Sequence, residues 1–244
     1  WEHPLYKNKE VQLASVQFVF LVSRAIRLCL ETPHASTRTN VKSLISRYPD
    51  VIVKHLRRWL WGTGEERYFT VYGWNCADRE MHNHQEMLEL KRTLGLGSDP
   101  AYCSSYTDLD LLIGGVAAEC RLIQKRRPDI IRGLNNRLLS DYLKLASDSM
   151  VSKFQATSLH DFTGKSVEGV DFDPGAWDSH PSYDYSGWIS DQQPSARTRV
   201  SGAGWDISHA MRFAHVFPSF ELLRKETRIG LAPDIQGKLA NQIA

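Results

Sequence analysis

Residues 59–74, WLWGTGEERYFTVYGW, combine the side-chain types that general acid catalysis requires. Glu65 and Glu66 stand side by side between a glycine turn and a run that is rich in aromatic residues. Burial of a glutamate against aromatic rings raises its pKa and keeps it protonated near neutral pH, so that it can protonate a glycosidic oxygen. The segment therefore predicts a general acid, with Glu65 as the candidate. The alternative is an exposed turn that carries two solvated carboxylates.

Glu119 is a second candidate catalytic residue, because it interrupts an apolar stripe on a long predicted helix. At the 3.6-residue period this stripe contains Leu112, Val116 and Ile123. A carboxylate in such a place must be paired, neutralised or functional. The structural alternative is a buried ion pair with Arg24, Arg27 or Arg121. Gly114 and Gly115 in the same helix predict the close approach of another element.

A third cluster lies in residues 204–217, GWDISHAMRFAHVF, where Asp206 and His209 are three residues apart. Asp206 is the third candidate catalytic residue, and it can also cap the helix that follows. A zinc site would need a further ligand from the preceding loop, such as His160 or His180, and the spacing is not HExxH. No metal site is therefore predicted. Helix capping combined with core packing is the alternative.

Residues 158–204 are rich in glycine, proline, aspartate and aromatic residues, and they predict a long loop with a binding role. Aromatic faces stack on sugar rings, and short carboxylates accept hydrogen bonds from hydroxyl groups. The predicted substrate-binding residues here and near Glu65 are Tyr68, Trp74, Trp177, Tyr183 and Trp205. Two alternatives are a cation site at the aspartates and a self-packed surface loop.

Helical periodicity dominates the rest of the chain. Helices are predicted over about 11–31, 40–48, 51–61, 81–97, 107–127, 129–154 and 205–217, with one strand or hairpin near 67–73. The apolar run 15–30 contains Arg24 and Arg27, so it is predicted to be a buried core helix rather than a membrane span. The pattern predicts a mainly α fold: a helical bundle in one domain over residues 1–244, with one small β-hairpin and the loop 158–204.

The composition is that of an ordinary globular protein. The 244 residues carry a formal net charge of +2, which is too weakly basic to indicate nucleic acid binding by itself. None of the four cysteines forms a CxxC pair, which argues against a zinc ribbon, and Cys29 and Cys120 are predicted to be free in apolar helices. Walker, GxSxG and GxGxxG motifs are absent. The polar start, WEHPLYKNKE, resembles a cut point inside a longer protein and not a secretory signal.

The helix end, glutamate and aromatic run in WLWGTGEERYFTVYGW resemble the catalytic corner of lysozyme-type folds. The later GWDISHAMRFAHVF, behind an aromatic and acidic loop, resembles the C-terminal lysozyme domain of the dual amidase–lysozyme effectors of the bacterial type VI secretion system. The resemblance implies an α+β lysozyme-like fold over most of the chain. It also implies hydrolysis of the glycan strands of peptidoglycan without a cofactor.

The same resemblance implies partners and a route. The protein would be made in the cytoplasm and delivered to the periplasm of target bacteria, with peptidoglycan, an immunity protein and secretion-apparatus components as partners. Nucleic acid and membrane insertion are not expected. Two alternatives from other functional classes stay open, namely a non-catalytic domain that binds cell-wall carbohydrate and a nuclease toxin.

Overall fold

The computed structural model describes residues 12–34, 38–62, 75–76, 79–80, 82–94, 103, 105–160, 163–172, 207–230, 235, 237–238 and 241. Of these described residues 72% are helical, which confirms the predicted mainly α class. The helices are α1 Gln12–Glu31, α2 Thr39–Arg47, α3 Pro49–Trp61, α4 His84–Thr93, α5 Asp108–Arg126, α6 Asn136–Val151 and α7 Ile207–Thr227.

Three helices, α1, α5 and α7, lie side by side and run in the same direction. At one end Arg212 of α7 pairs with Asp108 in the first turn of α5. At the other end Arg126 of α5 pairs with Glu226 of α7 at 2.6 Å and with Glu31 of α1 at 2.9 Å. The helices therefore begin at a common end of the bundle, which we call the N-terminal end. The acidic first turn and basic last turn of α5 match the charges of these aligned helix dipoles.

The close approach predicted at the α5 glycines is confirmed. A Cβ atom on Gly115 would stand 2.9 Å from Cε2 of Phe20 on α1 and 2.9 Å from Cγ1 of Val216 on α7. At this one residue, α5 therefore contacts both neighbouring helices. Gly114 has a similar neighbour in Phe220, whose Cζ would lie 3.0 Å from an added Cβ. The absence of side chains at these two positions lets the helices pack closely around α5.

Helix α1, predicted to be a buried core helix, packs one face into the core and leaves the other face exposed. Its outer face exposes Phe18, Leu21 and Leu28 to 50%, 65% and 47%. Among the described helices, α1 is the one that is long and apolar enough to cross a membrane by length and composition. Its most apolar 18-residue window has a mean hydropathy of 1.7, and 39% of that window is buried.

Two antiparallel strand pairs accompany the helices. They are β1 Asn75–Cys76 with β2 Arg79–Glu80, and β3 Phe154–His160 with β4 Ser166–Phe172. In the second pair Phe154 faces Phe172, and the turn contains Gly164 at φ 79°. This hairpin corrects the prediction that residues from 158 onwards form a loop. The sequences FQATSLH and SVEGVDF supply β-forming residues on both sides of a glycine turn. The hairpin predicted near 67–73 lies outside the described residues.

The helix predicted over 129–154 begins later than expected. Helix α6 starts at Asn136, because the side chain of Asn135 accepts hydrogen bonds from the backbone N–H groups of Arg137 and Leu138 at 2.9 and 3.1 Å. Gly133, at φ 86°, turns the chain just before this cap. The break lets α6 leave the end of α5 in a new direction.

Helix α7 continues past the point where its end was predicted. Pro218 lies inside the helix, which ends only at Thr227. A proline removes one helical hydrogen bond and disturbs the preceding turn. In that turn the carbonyl oxygen of His215 accepts a hydrogen bond of 2.5 Å from Nη1 of Arg24 on α1. A donor from another helix therefore contacts a carbonyl group in the turn that precedes the proline.

Candidate functional site

A buried polar cluster joins α4, α5 and α6 at the N-terminal end of the bundle. At its centre is Asp110, in the first turn of α5 and with no exposed surface. Its Oδ1 accepts a hydrogen bond from Nε2 of His84 at 2.8 Å, and its Oδ2 accepts one from Nζ of Lys91 at 2.5 Å. Oδ2 also accepts hydrogen bonds from the hydroxyl of Thr107 at 2.8 Å and from the backbone N–H of Thr107 at 2.5 Å. The backbone bond and the bond from the Asp110 N–H to Oγ1 of Thr107 together form a capping box. One carboxylate thus holds two residues of α4 that are seven positions apart on one face.

The hydrogen bonds of His84 define its protonation. Burial lowers the pKa of His84, although its hydrogen bond to Asp110 opposes the shift. The imidazole is therefore neutral, with Nε2–H donating to Asp110 and Nδ1 accepting from the hydroxyl of Tyr142 at 2.8 Å. Burial would raise the pKa of Asp110, but the Lys91 ammonium and the His84 hydrogen bond outweigh burial, so its pKa lies well below the usual range. The cluster carries a charged pair and a neutral histidine.

This cluster has no open face for a substrate. The side chains of His84, Lys91, Asp110 and Tyr142 are all at most 1% exposed, and both ring nitrogens of His84 are engaged. An acid or base that acts on a polymer must reach the bond that it protonates. The cluster is therefore suited to holding the surrounding segments in place, and not to proton transfer with a bound polymer.

The histidines make the stability of the protein dependent on pH. Burial lowers the pKa of His84 below its ordinary value of 6.5 and that of His55 to about 4. Since each binds a proton more readily in the unfolded chain, their contribution is present above pH 6.5 and is lost as the pH falls. We expect the free energy of unfolding to decrease below pH 6.5 by up to about 1.4 kcal/mol per pH unit for each histidine.

Urea unfolding monitored by circular dichroism, at pH values from about 8 to about 5, measures this dependence. His55→Gln should remove the part of the slope that belongs to His55, because glutamine does not titrate. A free energy of unfolding that stays constant or rises on acidification would contradict the prediction.

The predicted catalytic residue Glu119 lies in a second buried cluster, between α1, α5 and α7. It is fully buried, and its carboxylate accepts hydrogen bonds from Nε and Nη2 of Arg27. The hydroxyl of Ser219 donates to Oε1 of the same carboxylate at 2.6 Å. Arg27 also pairs with the partly exposed Glu31 at 2.6 Å. Of the two interpretations of Glu119, this geometry favours the buried ion pair, and the catalytic role stays a prediction.

The residues that flank the segment carrying Glu65 lie close together. A Cβ atom on Gly62, the left-handed residue that ends α3, would stand 2.9 Å from the carbonyl oxygen of His82. Asn83 follows His82 and caps α4, since its side chain accepts from the backbone N–H of Glu86 at 3.0 Å. The next residue along, His84, belongs to the Asp110 cluster. Gly62 and His82, which flank residues 63–81, therefore lie together beside that cluster.

The aromatic and acidic segment is anchored near the same cluster. Phe172, the last residue of β4, contacts Tyr106 and Phe213, with ring centroids 6.1 and 4.6 Å apart. Tyr106 precedes the capping residue of α5, and its pKa is raised by burial and, in addition, by the nearby Asp110 carboxylate. Phe213 lies in the second turn of α7. Phe172 and helix α7, which flank residues 173–206, thus meet at the N-terminal end of the bundle.

Most of the predicted site residues lie outside the described residues. They are Glu65, Tyr68, Trp74, Trp177, Tyr183, Trp205 and Asp206. His160, a metal ligand considered for the zinc alternative, ends strand β3. Among the described residues, no three histidine, cysteine, aspartate or glutamate side chains gather as a metal site would require.

The Asp110 cluster was not identified from the sequence, although two local signals mark it. Thr107 and Asp110 have the spacing of a capping box, and Asn83 and Glu86 have the spacing of a second helix start. These signals locate the two helix starts but do not say that they meet. His84 and Lys91, seven residues apart, share the face of α4 that turns to Asp110.

Comparison with known proteins yields no relative for this chain. No protein-family model, curated protein or solved structure matches it.

Proposed function

We propose that this protein is a peptidoglycan glycan-strand hydrolase of the lysozyme type, with Glu65 as its general acid, and that it acts as an antibacterial effector domain. The substrate-binding groups are the aromatic side chains of the segments 63–81 and 173–206. Asp206 is a second catalytic carboxylate, and Glu119 is a structural residue in this scheme. The lysozyme-like fold and delivery to the periplasm of target bacteria, with an immunity protein in the producing cell, belong to the same proposal.

One observation carries the proposal: the contacts that flank the two predicted site segments both lie close to the Asp110 cluster. The contact between Gly62 and His82 anchors the acid-bearing segment, and the contact between Phe172 and Phe213 anchors the aromatic one. A glycosidase needs an acid and a sugar-binding surface held close together by a rigid support. The buried ion pair and hydrogen bonds of Asp110 supply such a support from α4, α5 and α6.

The cysteine chemistry supports an extracytoplasmic site of action. Cys103 is disulfide-bonded, whereas Cys29 and Cys120 are free. Disulfides persist in oxidising compartments such as the bacterial periplasm and are rare in the cytosol. Burial of Cys120 raises the pKa of its thiol, so this free cysteine is protected from oxidation.

Incubation of the purified protein with insoluble peptidoglycan tests the proposal and its two alternatives. Release of soluble muropeptides with new reducing ends, identified by mass spectrometry, identifies a glycan-strand hydrolase. Sedimentation of the protein with the wall, without such release, identifies a carbohydrate-binding domain. Inertness toward the wall combined with cleavage of DNA or RNA identifies a nuclease. The second and third outcomes would each overturn the proposal.

The aromatic segment is expected to contribute to substrate capture more than to stability. We expect Trp177→Ala and Tyr183→Ala to reduce cosedimentation with peptidoglycan and to leave the melting temperature nearly unchanged, because stacking on sugar rings is lost while the core is untouched. Trp59→Ala is the matched control, since Trp59 is fully buried and its loss should cost about 3–5 kcal/mol of stability. A fall in melting temperature for Trp177→Ala as large as that for Trp59→Ala would show that the segment is structural.

A further inference from the structure

The outer face of α1 forms an apolar strip that no other described element covers. The side chains of Phe18, Leu21 and Leu28 are 50%, 65% and 47% exposed. Their spacing of three and seven residues puts them on one helix face. The ring of Phe18 contacts that of Tyr48, with centroids 6.0 Å apart. Val51, one turn further along α3, is 40% exposed. The strip therefore extends from α1 onto the start of α3, and we call it the α1–α3 strip.

Basic side chains are concentrated on α2 and α3, the two helices that contact α1 next to the strip. Residues 38–62, which form α2 and α3, contain six lysines or arginines and a single acidic residue, Asp50, so this segment has a net charge of +5 while the whole chain has +2. Lys54 is three residues from Val51 on the same face of α3, and Arg47 directly precedes Tyr48. The exposed cations of this pair of helices are Arg38, Lys42, Arg47, Lys54 and Arg57.

Most of these cations are available to an external partner. Arg38, Lys42, Arg47 and Lys54 form no ion pair or side-chain hydrogen bond within the described part of the chain, whereas Arg57 does have an interaction. Several cations elsewhere are paired, since Arg126, Arg127, Arg212 and Lys225 each contact a carboxylate. An unpaired basic surface beside exposed apolar side chains is complementary to a partner that is anionic at its surface and apolar beneath it.

We propose that the α1–α3 strip and its flanking cations dock the protein peripherally on an anionic lipid membrane. A helix that lies in the interface buries an apolar face at the acyl boundary and keeps lysines and arginines at the headgroups. Helix α1 offers 20 residues, about 30 Å, of such a face. Nucleic acid would use the cations but not the apolar side chains, which is why the observations favour a lipid surface. The inference stands apart from the hydrolase proposal.

The experiment is cosedimentation of the full chain with vesicles of phosphatidylcholine, with or without phosphatidylglycerol. We expect binding to the anionic vesicles only, and weaker binding at high salt. Lys54→Gln should weaken the affinity about fivefold, since each basic residue at the surface contributes that much. Leu21→Ser should weaken it about tenfold by removing exposed apolar area. Both residues are exposed, so neither change threatens folding, which circular dichroism checks.

The matched controls lie on α6, away from the strip. Leu138 is 49% exposed and Lys144 is exposed, so Leu138→Ser and Lys144→Gln repeat the same chemistry elsewhere on the surface and should leave vesicle binding unchanged. Equal binding to neutral and anionic vesicles, or equal losses for the control variants, would overturn the proposal. Failure to bind vesicles combined with binding of DNA that Leu21→Ser does not weaken would assign the surface to a soluble polyanion instead.

Discussion

Replacing Glu65 by glutamine is expected to lower the rate of muropeptide release by about two to four orders of magnitude, which is the usual contribution of a general acid. Glutamine has nearly the same shape as glutamate but has no proton to give to the glycosidic oxygen. Since Glu65 lies three residues beyond Gly62, where the chain turns out of α3 in a left-handed conformation, the change should not disturb the helix itself. The rate of reducing-end formation on peptidoglycan and the melting temperature are the two measurements.

Glu66→Gln is the matched control, because it removes the same charge from the neighbouring position. We expect this variant to retain the parental rate within a few fold, and both variants to melt within about 0.5 kcal/mol of the parent, as surface changes do. Equal activity of Glu65→Gln and the parent would show that Glu65 is an ordinary turn residue. Loss of activity in Glu66→Gln alone would move the acid by one position and keep the hydrolase proposal.

The helices were predictable where the local pattern and the burial agree. The start of α5 follows from Thr107 as the capping residue, and its central position follows from glycines that only a closely packed helix would use. Arg27 was among the three cations considered for Glu119, because a buried carboxylate needs a partner. Choosing among them required knowledge of the direction in which α1 crosses α5. Sequence periodicity gives the face of a helix but not that direction.

The Asp110 cluster illustrates what local patterns leave open. An aspartate in the first turn of a helix is an ordinary capping residue and is usually exposed. Asp110 is buried because α4 lies across the start of α5 and brings His84 and Lys91 to it. Those residues are 26 and 19 positions away in the chain, so no helical period relates them. The burial of Asp110 therefore depends on tertiary packing, which cannot be derived from a single sequence.

The hairpin β3–β4 and the passage of α7 through Pro218 were missed for a different reason. In each case the sequence contains two competing signals. Residues before β3 continue the helical pattern of α6 until Ser152, whereas the glycines at 164 and 169 suggest a loop. The strands form because they pair with each other along seven residues. Pro218 normally ends a helix, yet Val216, Phe217 and Phe220 are buried on both sides of it. Burial on both sides keeps the helix continuous.

Replacing Glu119 by glutamine is expected to destabilise the protein by about 3–5 kcal/mol, because it leaves the buried guanidinium of Arg27 without its carboxylate. Glu31 still contacts Arg27 at 2.6 Å, so the lower part of this range is expected. Glu226→Gln is the control. Glu226 pairs with Arg126 nearer the surface, with its side chain 18% exposed, so its loss should cost about 1 kcal/mol or less. Urea unfolding monitored by circular dichroism measures both.

A double variant separates the structural role of Glu119 from a catalytic one. Arg27→Met combined with Glu119→Leu removes both charges and fills the space with apolar groups, so it should recover the stability of the parent to within about 1 kcal/mol. If Glu119 is structural, the double variant should also hydrolyse peptidoglycan at the parental rate. A double variant that is stable but inactive, together with an active Glu65→Gln, would make Glu119 the acid. In that case the carboxylate would have to leave Arg27 and Ser219 during turnover, since both of its oxygens are engaged in the folded core.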